Sequence, residues 1–360
     1  MVVFWACSTE DGGSDEPTPG TVSFDRAALL TNWADNIIIP SYASFSSAIA
    51  TLNTAFNTFE AEKTTTNLVA LRAQWVASYK SWQYVSVLET GPAEIVDLRL
   101  NVNIYPTDVS KIQNNISSGN YDLSLPSNRD AKGFPALDYL INGLAATDAE
   151  IIAAMTEADL QYMGAIIADI QTISNGVLAE WQGSFRASFI ANDGSSANSS
   201  VDRFVNDYIF YFERFLRAGK MGIPLGVFSD NPIPENIEAF YRGDNLSNEL
   251  FLEGLQAVQD IFNGNHFNAS TTGVGLSSYL DALRKDTNRE DLNALINNQF
   301  NTARASVTTL EAFKEEIENN TVPTQMLLAY DEVQRLVPLL KVDMVSALSI
   351  SIDFADADGD

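Results

Sequence analysis

The side chains able to do chemistry are unevenly supplied in this chain. There is one histidine, His266, and one cysteine, Cys7, in 360 residues. A zinc peptidase with two histidines on one helix face is excluded, as is any multi-histidine metal site. A serine–histidine triad would have to use His266, which sits in the Gly/Asn-rich run Gly264-Asn265-His266-Phe267-Asn268, a context typical of a solvated loop side chain. A single cysteine permits no intrachain disulfide. Carboxylates are plentiful. The 47 Asp and Glu against 21 Lys and Arg give a net charge of −26. That balance argues against nucleic acid and anionic lipid surfaces, both of which need basic patches, and it admits cations.

One acid stands in an organised setting. Asp138 lies in Lys132-Gly133-Phe134-Pro135-Ala136-Leu137-Asp138-Tyr139-Leu140. The spacing predicts a helix from about Pro135 to Asn142, with Gly133 breaking what precedes it and Pro135 at the first helical position, where a missing N–H costs nothing. Leu137, Leu140 and Ile141 form the apolar stripe. Pro135 and Asp138 are three apart and project from one face, with Asp138 near the positive end of the helix dipole.

This segment resembles the signature of the imelysin family, also called insulin-cleaving membrane protease-like proteins, whose usual pattern is G-x-H-x-x-E. Gly133 matches the glycine, Pro135 stands at the histidine position and Asp138 at the glutamate position. A proline ring neither ligates metal nor shuttles a proton, so one ionisable group of the pair remains. Two further blocks carry the resemblance. A helix with Trp75, Trp82, Glu89 and Gly91-Pro92 is similar to the family's W-x6-W helix ending in an acid and Gly-Pro. Lys220, Gly222, Pro224 and Gly226 match its Lys-x-Gly-x-Pro-x-Gly element. The resemblance covers nearly the whole chain from about Phe24. It implies a cleft between two helical bundles, with the signature segment in the cleft and Gly133, Phe134, Pro135, Asp138, Trp82, Glu89 and Lys220 as candidate ligand-binding residues. Core packing is the alternative role for the tryptophans.

The elements that must position these residues are helical. Hydrophobic residues make up 46% of the chain, enough for a substantial core. Apolar residues recur at helical spacing from Phe24 nearly to the end, interrupted at Pro40. Thr64–Asn67 offers caps for a long helix from about Leu68 to Leu88. Another long helix is expected from Asp159 to Ile190, with Gly176 and Gly183 as kink points. Asn192 to Ser200 is polar and low in complexity, and marks the boundary between an N-terminal bundle, 21–191, and a C-terminal bundle, 200–350. Ser346 to Phe354 alternates as a short strand or an extended tail would. Gly133–Leu140 and Gly273–Leu280 share Gly, Tyr and Leu at equal offsets, each after a segment ending in Gly-Asn, which suggests a duplicated helix–loop–helix unit. The expected fold is all-α, two helical bundles packed side by side.

At the N-terminus, Met1–Ala6 is apolar and is followed by Cys7. This resembles the end of a bacterial lipoprotein signal with Cys7 lipidated, and residues 9–20 resemble a flexible tether, so 1–20 form a signal remnant and linker. The expected role is an envelope-anchored binding protein on the periplasmic or outer-membrane surface. Because imelysin-like proteins are associated with iron uptake, the resemblance implies a small ligand, a metal ion (iron or another cation) or envelope iron-uptake proteins as partners, and membrane contact only through the lipid. A peptidase of the imelysin type and a structural surface lipoprotein are the alternatives. Asp356, Asp358 and Asp360 lack the glycine and terminal glutamate of a calcium loop, and make an acidic tail.

Overall fold

The computed structural model describes residues 24–287, 291–320 and 322–354; Cys7, the 9–20 linker and the 356–360 acids lie outside them. Helices make up most of the described chain, and the one β feature there is an isolated antiparallel bridge between Asn265 and Thr272. No single described helix is long and apolar enough to cross a membrane.

Three long helices, Ile39–Ala61, Thr65–Ser86 and Glu157–Gln182, pack together in the first half. Their buried faces follow the 3.6-residue period: Phe45, Ile49, Leu52, Phe56 and Phe59 on the first, and Leu160, Met163, Ile167, Ile170 and Val177 on the third. In the second half Leu246–Asn263 packs on Leu292–Thr308, which packs on Thr324–Gln334. Leu246–Asn263 also lies against Thr65–Ser86, so that helix touches both groups.

The cap expected within Thr64–Asn67 is Thr64. Thr64, Asp108 and Thr147 accept the N–H groups of Asn67, Lys111 and Glu150. The third long helix ends at Gln182, and after Gly183 a separate helix runs Ser184–Ala191. The expected duplication keeps its two glycine stops, since Gly119 and Gly264 both end helices in the left-handed region. The paired glycines that follow differ, however. Gly133 opens its helix with φ +77°, whereas Gly273 lies three residues ahead of the helix Leu276–Thr287.

Two expectations are corrected. Pro40 does not interrupt the chain, because a wide π-helical stretch, Trp33–Ile38, feeds directly into Ile39–Ala61. Proline removes a donor and crowds the carbonyl four residues back. The wider turn opens the backbone there, and the Asn36 carbonyl accepts the Phe267 N–H at 2.8 Å instead. Ser346–Phe354 is not a strand. The helix Val345–Leu348 ends on Ser349 in the left-handed region, and an extended tail follows. The Asn206 amide holds that tail by donating to Ser351 O and accepting from Asp353 N, both at 3.0 Å.

Candidate functional site

The signature segment is a short helix, Gly133–Asp138, continued by a wide turn, Tyr139–Gly143. Its start is fixed by Gly133. At φ +77° a side chain is strained, and a Cβ there would lie 2.1 Å from Val102 O, so only glycine fits. Lys132, buried just ahead of it, donates to Leu123 O at 2.7 Å and pairs with Asp169 at 2.8 Å. Its far end is tied by Arg72, whose Nε and Nη2 reach Ile141 O at 2.9 and 2.7 Å. Arg72 thereby ties the segment to the Thr65–Ser86 helix.

Phe134 faces the core. Its ring stacks on Tyr79 with centroids 4.4 Å apart and lies tilted against Phe45 and Trp82. Trp75 donates to Phe134 O at 3.3 Å. Trp82 and Phe134 are fully buried, so their part in the site is to fix the helix behind it.

Pro135 and Asp138 line a cleft of about 210 Å³ together with Tyr105, Pro106, Glu235 and Tyr241. Asp138 is buried, and both its oxygens are occupied. Oδ1 accepts from Asn142 Nδ2 and Arg242 N, and Oδ2 from Tyr241 N, all at 2.9 Å. Burial pushes its carboxyl up to about 7, against the opposing pull of those three donors and of Arg242. In this arrangement Asp138 clamps the irregular 234–244 segment across the cleft.

Lys220 lies behind the cleft, on the π-helical stretch Tyr211–Gly222 that continues Ser200–Phe210. It is buried and paired with Glu238 Oε2, and burial lowers its pKa while Glu238 opposes the shift. Glu238 Oε1 accepts from Asn103 Nδ2 at 2.8 Å and Gln83 Nε2 at 3.3 Å. Tyr79 OH donates to Asn103 Oδ1 and so orients that amide. Tyr105 lines both the cleft and a small void of about 20 Å³ beside Lys220.

Glu89 belongs to a different opening. It accepts Arg99 N at 2.8 Å and pairs with the Arg99 guanidinium at 3.1 Å, while Arg99 forks onto Asp207 at 2.8 and 2.7 Å. Burial raises the Glu89 carboxyl to about 7 although Arg99 acts to lower it. The surrounding pocket, about 460 Å³, includes Glu94, Asp97, Arg203 and Asp353. Arg99 also lines the void next to Lys220, so a polar seam runs from Glu89 through Arg99 and Lys220 to Tyr105 and the cleft.

The structure therefore gathers Pro135 and Asp138 at one cleft, sets Lys220 directly behind it, and puts Glu89 at a second opening. Sequence reasoning missed Glu238, Asn103, Gln83 and Tyr105. Glu238 follows a Gly/Pro-rich stretch with no local pattern to mark it, and the others become site residues only through folding. Among the described residues no group of three or more His, Cys, Asp or Glu is placed to hold a metal ion.

An all-helical protein built around a glycine-initiated helix, its acid clamped at an interhelical cleft, is the class defined by this fold and site. The family model described as Imelysin, a peptidase by heading, matches residues 38–340, and the chain belongs to the imelysin family. A curated relative, "Iron-regulated protein A" of Synechococcus elongatus, is 25% identical over 161 residues, 43% of this chain; the match spans 42% of that relative's length. Two solved structures share the fold. One is a putative iron-regulated protein A precursor from Parabacteroides distasonis (TM-score 0.71, 13% identity, 89% of this chain and 95% of that one). The other is an imelysin-like protein from Psychrobacter arcticum (TM-score 0.70, 16% identity, 92% and 97%).

Proposed function

We propose that this imelysin-family protein is an envelope-anchored accessory protein linked to iron uptake, which holds a small ligand or metal ion and does not cleave peptides. The observation that carries this is the state of Asp138. A general base must have a free acceptor aimed at the water or hydroxyl it activates. Three of the roughly four acceptor positions of the Asp138 carboxylate are instead taken by Asn142, Tyr241 and Arg242, and the neighbouring ring of Pro135 can neither take a proton nor bind a metal. The family and the iron-regulated relatives supply the link to iron. Cys7 is the proposed lipid attachment, and the segments 21–191 and 200–350 the two proposed bundles flanking the cleft.

The test uses purified full-length protein and its Asp138→Ala variant on casein and insulin, with calorimetric titration of ferric and ferrous salts alongside. The expected result is no cleavage above buffer for either protein, and saturable heat with iron. Cleavage by the parent that vanishes in the variant would establish the peptidase instead. No heat with either iron species would remove iron as the bound species.

A further inference from the structure

Glu238 is held like a ligand rather than like part of the scaffold. Its carboxylate has three partners from three other elements, Gln83 from the Thr65–Ser86 helix, Asn103 from the turn after Leu98–Val102 and Lys220 from the Tyr211–Gly222 stretch, while its main-chain carbonyl accepts from Ser247 Oγ at 2.6 Å. Two of the three are anchored without it. Tyr79 OH fixes the Asn103 amide, and Gln83 Nε2 also donates to Tyr79 O at 3.2 Å. A cation and two amide donors converging on one carboxylate make a charge-assisted recognition site.

The segment that brings Glu238 is irregular. Ala239, Gly243 and Asp244 have φ of +59°, +61° and +51°. For Ala239 and Asp244 this left-handed backbone is strained, and release of the segment relieves that strain. Ile237 and Ala239 line the outer cleft while Glu238, between them, points inward. One layer of chain thus separates the Lys220 slot from the cleft. Glu238 also fills the slot incompletely. Gln83 is fully buried, its Oε1 has no hydrogen-bond partner, and it borders the void of about 20 Å³, room for a single hydroxyl-sized group.

We propose that Lys220, Asn103 and Gln83 form a receptor for a small hydroxy acid, which enters from the cleft by displacing Glu238, its carboxylate taking the place of the glutamate and its hydroxyl donating to Gln83 Oε1. This rests on the protein being a binder and names the chemical class that it binds. The displacement is an exchange of one carboxylate for another, with no bond made or broken. The segment therefore acts as a tethered competitor whose effective concentration is on the order of millimolar.

The test measures thermal unfolding of Glu238→Ala and of the parent with sodium lactate, lactamide or sodium chloride at roughly 50 mM, a level chosen against that effective concentration. Lactate is expected to raise the unfolding temperature of Glu238→Ala saturably, with at least tenfold tighter apparent binding than to the parent. Lactamide and chloride are expected to give no such rise, and Lys220→Met in the Glu238→Ala background is expected to abolish it. A folded Glu238→Ala protein that lactate stabilises no more than lactamide does overturns the proposal. Should Glu238→Ala fail to fold, amide exchange in the parent decides. Lactate must speed exchange at Tyr241 and Arg242, whose N–H groups Asp138 holds while the segment is seated, and unchanged exchange overturns the proposal. No metal and no peptide is present in either measurement, so a failure of iron binding or an unexpected cleavage activity leaves these outcomes readable on their own.

Discussion

Asp138 and Glu89 give this protein an unusual dependence of stability on pH. Both carboxyls are raised to about 7 in the folded state, chiefly by burial, from 3.8 and 4.5. Between its unfolded and folded pKa each group holds a proton when folded and has lost it when unfolded. The unfolded state then binds fewer protons, and stability falls as pH rises through that window. Below about pH 4 the contribution is complete, and above about 7 it has been lost. From pH 5 to pH 8 each group titrates over about two pKa units, about 3 kcal/mol at 1.36 kcal/mol per unit. The usual carboxylate, stabilised in its charged form, has the opposite slope. The assay is urea unfolding followed by the fluorescence of buried Trp33, Trp75, Trp82 and Trp181 at pH 5, 6, 7 and 8. Added salt at about 0.5 M screens the surface repulsion of a chain carrying −26, which would otherwise slope the same way. The expected result is a loss of about 5–6 kcal/mol from pH 5 to pH 8, of which Asp138→Asn removes about half. At pH 8 Asp138→Asn escapes the penalty of about 3 kcal/mol on the charged carboxyl, which offsets the roughly 1–3 kcal/mol lost where its NH2 faces one of the N–H donors, so the variant is expected near parity with its parent there. Stability that is flat or rises from pH 5 to pH 8 in high salt would refute the assignment of these two acids as protonated in the folded protein.

Two substitutions test the frame around the site. Gly133→Ala puts a Cβ 2.1 Å from Val102 O at a left-handed φ, and is expected to cost about 3 kcal/mol or more in urea unfolding, since backbone must move on both sides. Arg99→Met leaves Asp207 and Glu89 buried without their cation and is expected to cost about 3–5 kcal/mol. Adding Asp207→Asn to Arg99→Met should recover part of that loss, and a strictly additive double variant would count against the coupling.

What the sequence revealed and what it concealed divide along a physical line. Helices, caps and glycine stops depend on neighbours three or four residues away, so the cap at Thr64 and the glycine stops Gly119 and Gly264 are legible along the chain. Pro40 misled because its cost is local but its remedy is not: the carbonyl it displaces finds Phe267, far along the chain. The site divides in the same way. Gly133, Pro135, Asp138 and Lys220 sit in motifs with fixed spacing. Glu238, Asn103, Gln83 and Tyr105 sit in none, and they meet because a segment without regular structure crosses the cleft. Asp138 connects the two sets. Its sequence position suggested an acid offered to a ligand, yet its oxygens are spent on the backbone of Tyr241 and Arg242. With a proline beside it in place of an imidazole, the acid of the motif positions the very segment that delivers Glu238 to Lys220. A substitution at Asp138 is therefore expected to loosen both the 234–244 segment and the Glu238–Lys220 pair.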